Sequence, residues 1–427
     1  MRGVNRRTFL ASAGSGATAL ALGSGVKAAG ANDQIRVAVI GIRSRGQSHI
    51  DAFTQNKATS VVALCDVDSR LFSGSAKTVE DRTGKAPALV TDLRRIMDDK
   101  NIDVVTIATP NHWHALAAVW ACQAGKDVYV EKPVSHNVSE GRKIADAAKK
   151  YDRLVQTGTQ NRSSKGVIEA MDFLHSGKLG KIYLSKGLCY KPRGSIGIKA
   201  DAVVPEGVDY NIWQGPAPEK AFNPNRFHYE WHWNWDYGNG DLGNQGIHQM
   251  DLARWGLNKN ELPVHIVASG GRYGYKDDGQ TPNTQIASYK YDDCMLEFEV
   301  RGLPTNAESG IKIGNLFYGT EGVLVLNEGK WQVFFGHKNE PGPSGQGGGD
   351  HFGNFVQALQ SRKREMLHAE VTEGHLSSAL CHLGNISYRL GRALKLDPKT
   401  ETFVNDKEAD TMLTREYRSP FMMPDKV

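Results

Sequence analysis

The first residues able to do chemistry form the turn Gly41-Ile42-Arg43-Ser44-Arg45-Gly46, with Asp66 twenty residues after Gly46. Glycine at the first position permits a tight turn, and glycine at the sixth lets a helix pack closely on a strand. Amides at a helix start attract a pyrophosphate, and Arg43 or Arg45 can supplement them. Arg43 stands where a dinucleotide fingerprint usually has its middle glycine, so the reading rests on the turn and Asp66 together. A carboxylate at 66 can accept hydrogen bonds from ribose hydroxyls and would repel an added phosphate, which favours NAD over NADP. Asp68, just beyond, is read as a helix start. Thr109-Pro110-Asn111-His112 supplies a second edge. There Pro110 ends a strand, and Asn111 can cap a helix and touch the cofactor. His112 and His114 either join it or pack.

Two more groups carry proton and charge chemistry. In Glu131-Lys132-Pro133 the ammonium can stabilise charge developing on a substrate oxygen. In the run from Gly240 to Asp251, Asn244 and His248 lie four residues apart, which one helix would put on a single face. An imidazole there can take or return a proton. Asp251 either orients that imidazole or caps or packs locally. Between these groups, Trp231, Trp233 and Trp235 would share one face if the chain were extended. Such rings either pack on the apolar face of a sugar or close an interface. Tyr190, Lys191, Arg193, Arg226 and His228 are further candidates for a pocket, on loops that could equally be surface.

Positioning these residues takes two kinds of sheet. Short apolar runs at Ile35–Ile40, Val61–Cys65, 103–108 and Asp127–Val130 alternate with helices after Gly46, over 112–123 and over 138–150. That alternation predicts right-handed βαβ units and a doubly wound parallel sheet over 33–155. Beyond 156 the pattern changes. A helix over 164–175 leads to a strand over 181–188, then to a stretch rich in Pro, Gly and aromatics, 190–239. Strands over 262–269, 284–291, 295–300, 312–318 and 322–326 have hairpin-like spacing, which predicts a mainly antiparallel open sheet within 156–427. Gly342–Gly349 reads as a flexible loop, and helices return over 351–360 and 375–390.

The remaining composition narrows the classes. The chain of 427 residues is 40% apolar and 23% charged, with formal charge +5. Four of its positive charges, Arg2, Arg6, Arg7 and Lys27, precede the first acid, Asp33, so the rest is near neutral and no nucleic-acid partner is expected. Arg6-Arg7 ahead of the weakly apolar 11–26 stretch resembles a twin-arginine signal over 1–30, which implies that export machinery as a partner and a periplasmic destination. No later run is apolar enough to span a bilayer. The five cysteines at 65, 122, 189, 294 and 381 form no CxxC pair, and neither they nor His228 and His232 give a closed ligand spacing, so no metal is expected. No serine-centred elbow stands out.

With the strand pattern, Glu131-Lys132-Pro133 and the glycine-rich run ending in His248, the chain resembles the glucose–fructose oxidoreductase / inositol dehydrogenase / rhizopine catabolism family over almost its whole length after the leader. The resemblance implies a Rossmann domain joined to an open-sheet domain, homo-oligomers assembled through that sheet, and redox chemistry on sugars or cyclitols. It places Lys132 near the nicotinamide, with Glu131 orienting it and His248 shuttling the proton. Related dehydrogenases commonly have Asp where this chain has Asn244, which can orient a hydroxyl but cannot act as a carboxylate partner. The reaction implied is hydride transfer between nicotinamide and a sugar or polyol. The alternative is an NAD-dependent glycosidase that oxidises C3 transiently, eliminates, hydrates and reduces again. Export of a folded chain implies an NAD that stays tightly bound.

Overall fold

The computed structural model describes residues 34–427; the twin-arginine segment lies outside them. Six parallel strands form the first sheet: β1 (Ile35–Ile40), β2 (Thr59–Cys65), β3 (Ala88–Val90), β4 (Val104–Ile107), β5 (Asp127–Val130) and β6 (Val155–Thr157). Their order is β3-β2-β1-β4-β5-β6. β4 and β5 are buried along their whole length, as expected of parallel strands covered on both faces. β1 pairs with both β2 and β4, so the chain reverses its winding beside β1 and leaves a crevice at the carboxyl ends of the strands. The sheet takes in residues up to Thr157, two past the boundary expected from the sequence.

Ten strands form the second sheet. They are β7 (Ile182–Cys189), β8 (His265–Gly271), β9 (Thr284–Lys290), β10 (Met295–Arg301), β11 (Ile313–Gly319), β12 (Gly322–Asn327), β13 (Lys330–Phe335), β14 (Glu340–Gln346), β15 (Leu394–Asp397) and β16 (Thr402–Phe403). The order is β14-β13-β12-β11-β7-β10-β9-β8-β15-β16, antiparallel except where β7 meets β10. β14 corrects the expectation of a loop over Gly342–Gly349. Pro341 and Pro343 lack N–H donors, but an edge strand needs only one side of its ladder, and β14 pairs with β13 alone.

The helices Gly246–Gly256 and Val371–Leu390 cover one face of this sheet, where Ile247, Met250, Leu380 and Leu383 pack on Tyr289 and Phe298. The C-terminal part also returns to the first sheet. Phe355 and Leu359 of the helix His351–Ser361 pack with Val37, Val39 and Phe53. Val371, Phe421 and Met423 join the core on the first sheet's other side. Residues 34–427 thus form one compact unit around two sheets. All five cysteines are buried free thiols.

Candidate active site

A cleft of about 450 Å³ opens at the carboxyl ends of β1, β2, β4 and β5. One wall is the Rossmann edge: Gly41, Arg43, Arg45, Asp66, Thr109, Asn111, Glu131 and Lys132. The facing wall comes from the second half of the chain and includes Lys191, His228, Tyr229, Trp231, His232, Asn244, Gln245 and His248.

The Rossmann wall is shaped largely by backbone. Gly41 has φ +81°, and a Cβ there would lie 2.8 Å from the carbonyl of Ala108. A Cβ on Gly46 would lie 1.9 Å from the carbonyl oxygen of Gly41, so the helix Arg45–Gln55 can start here only on glycine. Gly46 is therefore a buried support of the turn rather than part of the lining. Asp66 accepts from the amide of Ile42 at 2.9 Å and from that of Asp68 at 3.0 Å, one on each oxygen. Burial raises its pKa, opposed by those amide bonds. Asp66 lines the cleft, and each oxygen has capacity for a further hydrogen bond, as a ribose diol requires. Asp68 starts the short turn Ser69–Leu71, accepting from Arg70.

Beside Lys132, Glu131 accepts from the Lys132 backbone amide on Oε2 at 3.4 Å and its charge favours the ammonium, but its strongest partners lie elsewhere. Its Oε1 accepts from Arg45 Nε at 2.7 Å, His49 Nε2 at 3.1 Å and Gln160 Nε2 at 3.1 Å. Burial would raise the carboxyl pKa, but the His49 hydrogen bond and the charge of Arg45 outweigh it and hold the group below the usual range. Arg45 is thus tied to a carboxylate at the cleft edge, and Arg43 remains the exposed guanidinium of the turn. Lys132 Nζ donates to the backbone oxygen of Asn244 at 2.8 Å and lies 3.5 Å from its side-chain oxygen. Burial lowers the ammonium pKa to about 8, with Glu131 opposing and Arg45, Lys191 and Arg193 assisting.

Asn244 and His248 meet at the cleft, though not on one continuous helix. The short helix Gly240–Gly243 ends at Asn244, and a second, Gly246–Gly256, carries His248 in its first turn. The break turns the Asn244 carbonyl toward Lys132. Burial pushes the His248 pKa down to about 3, and the nearby Lys132 adds to it, so the ring is neutral at neutral pH. Its Nδ1 has no hydrogen-bond partner.

Several expected contacts lie elsewhere. His112 is fully buried and bonds the carbonyl of Trp213 at 2.8 Å. Asn111 does not cap: it is the first residue of its helix and donates to Asn239 at 2.9 Å, although it lines the cleft. Asp251 does not orient His248. Arg162 Nε reaches its oxygens at 2.8 and 3.0 Å, and Ser377 donates at 2.6 Å, deep on the far side of the helix. Tyr190 bonds Glu299 at 2.7 Å and Glu308 at 2.8 Å, on the sheet face opposite the helix carrying His248, as the register of β7 with β10 requires. Arg193 pairs with Asp241 at 2.5 Å and lies over Trp233 at 4.9 Å, supporting the wall without lining it. Arg226 bonds the carbonyl of Ala221 at 3.2 Å. Glu230–Trp233 is a tight helical turn, so the three tryptophans do not share a face. Trp231 lines the cleft, whereas Trp233 donates to Glu230 at 2.9 Å. Lys191 and His228 do line it. Tyr229, His232, Gln160 and Gln245 also line it: Tyr229 and His232 lie in the aromatic run around 229–237, Gln245 in the run from Gly240 to Asp251, and Gln160 carried no signal.

The family comparison matches this architecture. A model of the oxidoreductase family's NAD-binding Rossmann fold matches residues 35–159, and one of its C-terminal alpha/beta domain matches 188–322 and 337–423. The chain belongs to the glucose–fructose oxidoreductase / inositol dehydrogenase / rhizopine catabolism oxidoreductase family. Among curated relatives, it is 28% identical over 158 residues to an inositol 2-dehydrogenase of Salmonella paratyphi B, covering 36% of this chain and 46% of that one. It is 27% identical over 154 residues to a glycosyl hydrolase family 109 protein of Shewanella pealeana, covering 35% and 34%. The matched stretches thus span less than half the length of these relatives. Among solved structures, the fold is similar to the WlbA dehydrogenase of Bordetella pertussis in complex with NADH and UDP-GlcNAcA (TM-score 0.65, 20% identity, 86% of this chain and 99% of that one). It is also similar to levoglucosan dehydrogenase in complex with NADH and L-sorbose (TM-score 0.64, 17% identity, 85% and 98%).

Proposed function

We propose that the cleft performs NAD-linked interconversion of an alcohol and a carbonyl on a sugar, sugar derivative or cyclitol. One observation carries the reading: Lys132, hydrogen-bonded to Asn244, and His248 line the same cleft as Gly41, Arg43 and Asp66. The residues fit a dinucleotide. Thr109 Oγ1 and Arg45 Nη2 are buried polar atoms without a partner, and their residues line the cleft beside Gly41. Asp66 would take the ribose hydroxyls, Arg43 the pyrophosphate, and the carboxylate at 66 would disfavour NADP.

Bound NAD would accept or return the hydride at its nicotinamide. Lys132 would hold the reacting oxygen, donating to a carbonyl as the ammonium and accepting an alcohol proton as the amine. With its pKa lowered to about 8, Lys132 exchanges that proton near neutral pH more readily than His248, held at about 3. His248, neutral and lining the cleft, would bind and orient the hydroxyl rather than carry most of the proton transfer. Asn244 would fix the Lys132 position through its carbonyl.

The likeness to a glycosyl hydrolase family 109 protein supports a second reading, glycoside cleavage through transient oxidation at the same site. The Arg6-Arg7 segment supports export by the twin-arginine route with NAD retained in the folded protein. Val267, Ile286 and Met295, exposed on the uncovered face of the second sheet, support a homo-oligomer. One experiment tests the bound nucleotide and the two catalytic readings together. The purified protein is denatured and its nucleotide identified by mass spectrometry, and sugars are screened for cofactor absorbance and product structure. Stoichiometric oxidation or reduction supports the dehydrogenase; cleavage without NADH accumulation supports the glycosidase; absence of both sinks the proposal.

A further inference from the structure

His232 is a titratable group of the cleft that the chemistry above does not use. Its Nδ1 lies 2.5 Å from the carbonyl oxygen of Tyr229. A carbonyl oxygen only accepts, so Nδ1 carries the proton and donates. Burial, with the nearby charges of Lys132 and Arg193, pushes the ring pKa down to about 3 against that hydrogen bond, which keeps the ring neutral. A neutral ring protonated at Nδ1 leaves a bare lone pair on Nε2. Among the described residues nothing donates to that nitrogen. The ring cannot readily turn away: it stacks on Trp231 at 3.6 Å with planes 19° apart, and the Tyr229 ring lies 4.5 Å off. It lines the same cleft as Lys132, Asn244 and His248.

We propose that His232 is a specificity-determining residue, whose Nε2 accepts a hydrogen bond from a second substrate hydroxyl beside the one held at Lys132. The proposal deepens the redox reading, on which it rests for the identity of the reacting hydroxyl. Lys132 supplies a donor and His232 an acceptor in the same cleft, so the pair reads two hydroxyls of one substrate, a diol. A deoxy or O-methyl group at the second position has no proton to give and would leave the acceptor unpaired. Trp231, stacked behind the imidazole, holds the ring at a fixed angle to the diol.

The test uses the full chain with NAD and needs no turnover. Nitrogen-15 histidine NMR at neutral pH reads the tautomer directly: His232 should show a protonated Nδ1 and a bare Nε2. Adding D-glucose, D-xylose or myo-inositol should move the Nε2 resonance for at least one of them. For that polyol, the analogue lacking the second hydroxyl should leave the resonance in place. In kinetics on the same pair, wild type should favour the parent by roughly tenfold to a hundredfold in kcat/KM, mostly through KM. His232→Phe, which keeps a stacking ring, should remove that preference, and His232→Gln should restore part of it. A proton found on Nε2, an Nε2 unmoved by all three polyols, or a His232→Phe chain that keeps the preference would overturn the proposal. An Nε2 that responds to sugar in a protein showing no redox turnover would count against the redox reading and leave the His232 contact standing. Turnover with a silent Nε2 would do the reverse.

Discussion

The two walls of the cleft are built on different principles. The Rossmann wall is shaped by backbone: a left-handed Gly41, a Gly46 with no room for a methyl, and an Asp66 pinned by two amides. The facing wall is made of side chains on short helical turns and loops, held by stacking and by single hydrogen bonds such as those of His232 and Trp233. The first suits a ligand part common to many enzymes and tolerates little change. The second can vary its side chains without rebuilding a strand, so substrate choice belongs there.

The largest expected effect sits where the walls meet. Lys132→Met should lower sugar-dependent hydride exchange by roughly 10²–10⁴-fold while NADH binding, measured by fluorescence titration, changes little. Next is Gly46→Ala. Its new methyl meets the Gly41 carbonyl oxygen, so thermal stability should fall by about 1–3 kcal/mol and NADH affinity with it. An equally placed change on the facing wall, Trp231→Phe, should alter KM for sugar and leave NADH affinity intact; equal loss of both would erase the distinction between the walls.

Asp66→Asn should weaken NADH about tenfold and narrow the preference over NADPH, since the carboxylate supplies both acceptance from the ribose and repulsion of a phosphate. The smallest effect is on pH dependence. Lys132 holds its proton below about pH 8, so alcohol oxidation should rise as pH climbs to that value and then level, while carbonyl reduction should decline above it. Lys132→Arg should remove the inflection near 8 in both directions; an inflection that survives would assign it to another group.

The same contrast explains what could be read from sequence. β1 and β5 were legible to the residue because 37–40 and 128–130 are unbroken buried apolar runs, as parallel strands covered on both faces require. Gly41, Gly46 and Asp66 were legible because their spacing follows from the turn they build. β3, of three residues, was too short to show a pattern. β14 was hidden because edge strands tolerate Pro and Gly, the signature of a loop. On the facing wall, Lys191, His228 and Trp231 line the cleft, but Tyr190, Arg193 and Arg226 were assigned by residue type, and Trp233 and Asp251 by a local spacing that the fold does not use. Each of these has a partner distant in sequence or a local backbone contact that redirects it, such as Glu308 for Tyr190 and Arg162 for Asp251. No spacing rule reveals such partners. His232 escaped for the converse reason: its chemistry depends on a carbonyl three residues earlier that only a tight turn brings to Nδ1.

Isotope transfer probes the central claim most directly. The protein would be incubated with NADH carrying deuterium at nicotinamide C4 and a panel of ketoses and cyclic ketones of the inositol type, with products read by NMR. The proposed chemistry predicts deuterium on a single carbinol carbon of one product in the wild type, and none with Lys132→Met although that variant still binds NADH. Deuterium that stays on the nucleotide with every carbonyl offered, or transfer that persists undiminished without the lysine, would contradict it.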